Sequence, residues 1–166
     1  MNKQIAFILV MVVFLQTLVI AGETATFEGL GGIEGGGQTQ VVCNISADGS
    51  VVVGFGWADF PDCSSHKGFR WTSISGAQSL NDQVMSRIND VSADGSAVVG
   101  FDNSDDTGWH SFRWVDLNGN GLIDPNEKLN DHPEFYLDGI PGETSGHIAY
   151  GVSGDGSLVV GRFLRG

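Results

Sequence analysis

The nine-residue phrase SADGSVVVG at residues 46–54 decides the fold, because it recurs as SADGSAVVG at 92–100 and SGDGSLVVG at 153–161. Asp and Gly at its centre predict a tight turn: Asp accepts hydrogen bonds from nearby backbone N–H groups, and Gly takes a positive φ at no steric cost. The apolar run that follows predicts a short strand buried on both faces. The last Gly predicts either a bend or the close approach of another backbone. Each copy is therefore a predicted β-hairpin.

Two further motifs follow the first two copies in the same order. Phe-Arg-Trp stands at 69–71 and 112–114, and Leu-Asn-Asp at 80–82 and 129–131. One unit is therefore predicted as a hairpin, a Phe-Arg-Trp strand and a Leu-Asn-Asp strand, which makes four short antiparallel strands. Successive phrases begin 46 and 61 residues apart. The shorter spacing fits a four-stranded propeller blade of about 40–50 residues, and the extra length of the second unit falls in its connections.

The predicted fold class is all-β, with repeated four-stranded antiparallel units that are propeller-like and incomplete at about three blades. A single domain is expected at residues 22–166, because about 145 residues are enough for one core. LGGIEG at 30–35 echoes LDGIPG at 137–142, so a partial unit is predicted before the first full unit. The full units are placed at about 43–88 and 89–149, and the partial units at 26–42 and 150–166. Closed propellers typically have about 4–8 blades. An open stack of sheets, a ring closed by several chains and a truncated relative of a longer protein therefore remain as alternatives.

The hairpins and Phe-Arg-Trp strands together resemble the HAF-type extracellular repeats of bacteria. The nearest match to the naming motif is His-Ser-Phe-Arg-Trp at 110–114, whereas Lys-Gly-Phe-Arg-Trp at 67–71 departs from it at the His. The resemblance covers roughly residues 27–166. It implies export and a repeated, propeller-like β architecture, and it brings no catalytic residues to this chain.

Residues 116–127, DLNGNGLIDPNE, carry oxygen ligands at the spacing of an EF-hand calcium loop and resemble the loops of dockerins. The predicted calcium ligands are the side chains of Asp116, Asn118, Asn120, Asp124 and Glu127 and the backbone carbonyl of Leu122. Two amides among the ligands lower their charge, so we expect weak binding, at about 10⁻⁴–10⁻³ M. The alternative is a surface loop of Asn-Gly turns in which Asp124 caps a helical turn that starts at Pro125.

Residues 1–21 have the pattern of a secretory signal peptide, with Lys3 before an apolar run and small residues up to Ala21. An uncleaved membrane anchor is the alternative, although the run is shorter than the ~20 residues that span a bilayer. The chain has 20 acidic and 8 basic side chains and a net charge of −12, which argues against a nucleic-acid partner. The sequence predicts a secreted or cell-surface protein, the periplasm included, that leaves the membrane after cleavage.

Cys43 and Cys63 are the only two cysteines, and they could form one disulfide in an oxidising compartment. Arg70 and Arg113 of the Phe-Arg-Trp motifs are expected to pair with Asp82, Asp131 or the turn carboxylates between units. This role would be structural.

The sequence predicts a binding or structural role and no enzymatic activity. Its candidate partners are a second copy of the chain or another β-repeat chain. A glycan is a weaker candidate, because Trp57 and Trp109 stand in the variable loops where an aromatic ring could stack on a sugar. The rival interpretations are a glycan-active hydrolase and a truncated fragment without a function of its own.

Overall fold

A computed structural model describes residue 27 and residues 29–33, 40–57, 66–80, 86–103, 108–137 and 146–164. These residues form small antiparallel sheets, and the all-β fold class is confirmed. The predicted signal peptide, Cys63 and Asp82 lie outside the described residues. The leader, the disulfide and the unit boundaries therefore stay predictions.

The described residues form three sheets that follow one another in sequence. Sheet 1 has the order β1-β2-β3-β4, sheet 2 the order β5-β6-β7, and sheet 3 pairs β8 with β9. The strands are β1 Gln40–Ile45, β2 Val51–Trp57, β3 His66–Thr72, β4 Gly76–Ser79, β5 Ser86–Val91, β6 Ala97–Asp102, β7 His110–Val115, β8 His147–Val152 and β9 Val159–Phe163. Short 3-10 helices lie at Pro125–Glu127, Leu129–Asp131 and Pro133–Phe135.

The repeated phrase forms the turn between the first two strands of each sheet. In sheet 1, the Asp48 carboxylate accepts the N–H of Ser50 at 3.0 Å, and the Ser46 hydroxyl accepts the N–H of Val51 at 3.0 Å. Gly49 has a φ of 75°. The same two bonds recur in the other two copies. The tight turn predicted from Asp-Gly is confirmed, and the flanking serines are part of it.

The last Gly of each phrase lies opposite a β-bulge. The register of β1 and β2 shifts between Val42 and Asn44. A Cβ on Gly54 would stand 2.0 Å from the carbonyl oxygen of Val41. The equivalent distance in sheet 2, from Gly100 to the carbonyl of Arg87, is 1.9 Å. The glycine is therefore required by the close approach of a neighbouring backbone.

Each sheet packs face to face on the next. Strands β2 and β3 contact β5, and β6 and β7 contact β8. The turns also join directly: the N–H of Ala47 donates to the carbonyl of Ala93 at 3.0 Å, and the N–H of Ala93 donates to that of Gly154 at 2.9 Å. The same backbone contact thus recurs at both junctions, which makes the molecule a stack of repeated layers.

The main core lies between sheets 1 and 2. It combines Val53 of β2 with Ile88, Val98 and Trp114 of sheet 2, all fully buried. The valine strands β2 and β6 are buried on both faces, as predicted. Strand β9 departs from that prediction, because its residues from Val160 to Phe163 are exposed.

The Leu-Asn-Asp motif is not a strand where the structure describes it, and that prediction is wrong. In sheet 1 the fourth strand ends at Ser79, just before Leu80. In the second unit Leu129–Asp131 is a 3-10 helix, and Pro133, which has no N–H to give to a sheet, follows closely. Leu80 and Leu129 are both buried, and the N–H of Leu129 donates to the carbonyl of Leu80 at 3.1 Å. The motif supplies an apolar anchor between units.

In the part of the chain that the structure describes, sheet 2 accordingly has three strands instead of the predicted four. The fourth position is taken by Tyr136, which forms an isolated antiparallel bridge with Phe112 of β7. The N–H of Leu137 continues this pairing by donating to the carbonyl of Ser111 at 2.9 Å. The connection that follows β7 is longer than in the first unit, and it reaches the free edge of β7 only at Tyr136 and Leu137.

Candidate metal centre

The predicted calcium loop, residues 116–127, which we call the oxygen-rich loop, directly follows β7. It enters from a strand and leaves through the 3-10 helix Pro125–Glu127. The alternative prediction of a helical turn beginning at Pro125 is therefore confirmed. That turn leaves the calcium prediction open, because it does not remove any of the proposed ligands from the loop.

Successive oxygen side chains fold the loop into consecutive turns. The two carboxylate oxygens of Asp116 accept the N–H groups of Gly119 and Gly121, each at 2.7 Å. The Asn118 side-chain oxygen accepts the N–H of Asn120 at 3.0 Å. The Asn120 side-chain oxygen accepts that of Leu122 at 2.7 Å. Each oxygen is thus fixed by backbone of the loop itself.

Three of the six predicted ligands meet in direct contact. The Asp124 Oδ2 atom accepts the side-chain amide of Asn118 at 2.7 Å and that of Asn120 at 2.9 Å. A cation at this point would bind the same carboxylate and would require the two amides to turn their oxygens inward. The structure therefore brings loop positions three, five and nine together.

Glu127, the proposed last ligand, is fully buried. One of its carboxylate oxygens accepts the N–H of Leu117 at 3.2 Å, and the other accepts that of Asp124 at 3.4 Å. Its side chain thus ties the end of the loop to the start. Leu122, whose carbonyl is the remaining predicted ligand, is half-buried on the same loop.

The loop is anchored to two sheets. From sheet 1, the side-chain oxygen of Gln78 accepts the N–H of Ile123 at 3.1 Å. From sheet 2, the indole N–H of Trp114 donates to the carbonyl of Glu127 at 2.7 Å. Whatever stiffens this loop will therefore also stiffen the junction between sheets 1 and 2.

Arg70 of the first Phe-Arg-Trp strand is a functional neighbour that sequence reasoning placed elsewhere. It is buried and donates to the carbonyls of Gly121 at 2.6 Å and Gly95 at 3.3 Å. Burial lowers the pKa of the guanidinium, and the negative charges of Asp116 and Glu127 oppose that shift. A fixed cation therefore already stands near two of the proposed ligands, which weakens the attraction of a second cation.

Arg113 repeats this contact at the next junction, where it donates to the carbonyl of Gly156 at 2.5 Å. Both arginines contact a neighbouring unit, and among the described residues these partners are backbone carbonyls, while the expected partner Asp82 lies outside the described residues. Arg and Gly recur at matching positions of the repeat, and this recurrence could have predicted the contact between the arginine and the turn carbonyl of the next unit.

In the described ranges, no group of three or more His, Cys, Asp and Glu side chains could hold a metal ion. Any cation in the oxygen-rich loop therefore depends on the amide oxygens of Asn118 and Asn120. A ligand set of oxygens alone suits a hard cation such as Ca²⁺ and not Zn²⁺, which prefers nitrogen and sulfur.

The two candidate sugar-stacking rings are packed against other rings. Trp57 contacts Phe55 and His66, with ring centroids 5.9 and 5.6 Å apart. Trp109 contacts Phe101 at 4.9 Å. Each ring thus has one edge or face occupied within its own sheet.

No protein-family model, curated protein or solved structure matches this chain. The resemblance to HAF-type repeats therefore stays a prediction from the motifs. The described part of the chain contains no helix long and apolar enough to cross a membrane.

Proposed function

We propose that the chain is an exported β-repeat protein with a binding or structural role at or outside the cell surface, stabilised by calcium in the oxygen-rich loop. Two observations support this proposal. Equivalent contacts join successive sheets in a repeated layer structure, and residues 1–21 have the pattern of a leader. The periplasm is included in this proposal. No residue is assigned a catalytic role.

The observation that carries the calcium proposal is the contact of Asn118 and Asn120 with the Asp124 carboxylate. These side chains stand at alternate loop positions, and the turns of the loop bring them to one point. Asp116 and Glu127 would complete the set with their carboxylates and Leu122 with its carbonyl. Calcium would supply a doubly charged centre there, while the chain's own residues position the oxygens and close the loop.

A structural role for calcium follows from the anchors of the loop. Gln78 binds it to sheet 1, and Trp114 binds it to sheet 2. Fixing the loop would therefore hold two layers of the stack together. Weak affinity suits this role in calcium-rich surroundings outside the cytoplasm.

Calcium should raise the melting temperature of the protein, and Glu127→Gln should abolish that rise. The full chain is expressed with its own leader, and the product recovered outside the cytoplasm, which should begin at Gly22, is melted with calcium and with a chelator. At a calcium concentration about tenfold above Kd, binding to the folded state alone adds about 1.4 kcal/mol, which is a shift of a few degrees.

Asp131→Asn is the matched control, because it removes an exposed carboxylate just beyond the loop. That variant should keep the full calcium response. Equal melting curves of the wild-type protein in calcium and in chelator would rule out the metal site, and a product retained in the cytoplasm would rule out export.

A further inference from the structure

The two junctions of the stack are built around the same apolar contact. The first strand residue after each turn packs on the turn glycine of the next sheet. A Cβ on Gly95 would lie 2.4 Å from Val51 Cγ2, and a Cβ on Gly156 would lie 2.9 Å from Ala97 Cβ. An apolar side chain of one layer therefore closes on a bare glycine of the following layer.

In sheets 1 and 2, we call the side that faces the following sheet the trailing face, and we use the same name for the equivalent side of sheet 3. In sheet 3 this face carries Leu158 and Val160, which are 63% and 58% exposed. Their equivalents in the other two sheets are exposed by 3% or less, and they are Val51, Val53, Ala97 and Val99. The same positions that form the buried junctions are thus open on sheet 3.

The opposite side, which faces the preceding sheet, is the leading face. In sheet 1 the open part of this face lies on β1, where Val42 and Ile45 are 54% and 53% exposed, whereas Val52 of β2 on the same face is buried. Their equivalents in sheet 2, Ile88 and Val91, are exposed by 6% or less. Gly49 is also open, since the nearest atom to an added Cβ would be Ile45 Cδ1 of the same hairpin at 3.9 Å.

We propose that a second copy of this chain stacks head to tail on the first, with the trailing face of sheet 3 against the leading face of sheet 1. Leu158 would then close on Gly49 as Val51 closes on Gly95. The N–H of Gly154 would donate to the carbonyl of Ala47, continuing the contact that joins Ala47 to Ala93 and Ala93 to Gly154.

A second copy of the chain is the expected partner, because the two open faces match the faces that meet at the junctions within one molecule. The exposed apolar residues on the trailing face of sheet 3 and on the leading face of sheet 1 match, in type and spacing, the residues that are buried at the junctions inside the molecule. The two faces differ from one another, so the contact is heterologous, and each copy uses a different face on its two sides. Burial of the exposed Leu and Val side chains favours this association.

The test uses two lysine variants, one on each face: Val160→Lys and Val42→Lys. The full chain has a net charge of −12, and an added lysine makes it less negative, so any loss of association cannot come from greater repulsion between copies. The full chain is expressed with its leader, and the exported product is followed by sedimentation over a dilution series. The wild-type protein should associate, and each variant alone should weaken association at least about tenfold, because an unpaired charge is buried.

An equal mixture of the two variants gives the sharpest readout. Val160→Lys keeps an intact leading face and Val42→Lys an intact trailing face, so the mixture should form a one-to-one dimer that grows no further. Ile74→Lys is the matched control, because Ile74 is 83% exposed in the β3–β4 turn and lies outside both faces. It should associate like the wild-type protein.

Several results would overturn the proposal. They are a wild-type product that stays monomeric at every concentration, a mixture that stays monomeric, and an association that survives Val42→Lys but not Val160→Lys. The last would mean that two trailing faces meet symmetrically. All three substituted positions are exposed in the monomer, so far-UV circular dichroism should show an unchanged fold.

Discussion

Gly49 and Gly95 occupy equivalent turn positions with the same φ of 75°, but they have different neighbours. An added Cβ meets nothing closer than 3.9 Å at Gly49 and stands 2.4 Å from Val51 at Gly95. Alanine should cost about 1–2 kcal/mol of unfolding free energy at either site, because the left-handed backbone is strained. At Gly95 overpacking should add about 1–3 kcal/mol.

Urea unfolding of Gly49→Ala and Gly95→Ala, at a concentration where the protein is monomeric, measures this difference directly. Since the backbone strain is common to both variants, the difference reports the packing of sheet 2 on sheet 1. Equal losses of stability would show that the turn of sheet 2 does not close on Val51.

His66 is a buried titratable residue that the sequence did not single out. Its ring lies among Phe55 and Trp57, and among the described residues neither ring nitrogen has a hydrogen-bond partner. Burial, aided by the positive charge of Arg87, lowers its pKa from 6.5 to about 4. Because the folded-state pKa lies below the unfolded one, the unfolded chain binds the proton first. Stability is therefore complete above about pH 6.5 and falls as the pH drops towards 4.

His66→Phe should flatten this pH dependence while keeping the aromatic packing. Between pH 7 and pH 4.5 the wild-type protein should lose roughly 2–3 kcal/mol more unfolding free energy than the variant. Comparing the two proteins cancels the carboxylates that also titrate in acid, such as Asp48, whose pKa is lowered to about 2 by hydrogen bonds from Ser46 and Ser50. Parallel stability curves would mean that His66 is not buried in its neutral form.

The elements that could be predicted are those whose cause is local. The Asp-Gly turn is fixed by bonds from Ser46, Asp48 and their near neighbours, so three copies of one phrase were enough to place three hairpins. The Leu-Asn-Asp motif could not be placed in this way. Leu129 acts by reaching Leu80 across a junction of the stack, and this packing, together with Pro133 just downstream, favours a turn of the backbone over strand pairing.

In the oxygen-rich loop, too, the features with a local cause could be predicted and those that depend on tertiary packing could not. Its spacing predicted which oxygens share a loop, and the structure brings Asn118, Asn120 and Asp124 into contact. Its electrostatic setting came from outside the loop, since Arg70 lies in the preceding sheet and far away in sequence. The position of a charged neighbour follows from how the sheets stack, which no local pattern contains.

At the scale of the whole molecule, a single side chain links all three sheets. The Asp90 carboxylate in β5 accepts the side-chain amide of Asn44 in β1, and it accepts the N–H of Val152 in β8 at 2.8 Å. A stack of this kind gains its stability from the layers and from contacts between nearest neighbours. Among the described residues, sheet 3 has two strands and contacts sheet 2, so it should open at a lower free energy than sheet 2.

Asp90→Ala should therefore loosen sheet 3 more than the remainder of the stack. A hydrogen bond to a charged group contributes about 1.5–3 kcal/mol, so amide exchange in β8 and β9 should accelerate by about tenfold or more. Amides of β3 and β4 in sheet 1 serve as the internal control and should change less, because their strand pairing does not involve Asp90. Hydrogen exchange measured by mass spectrometry resolves these segments. If every sheet lost protection by the same factor, the layers would be opening as one cooperative unit, and the additive description of the stack would be wrong.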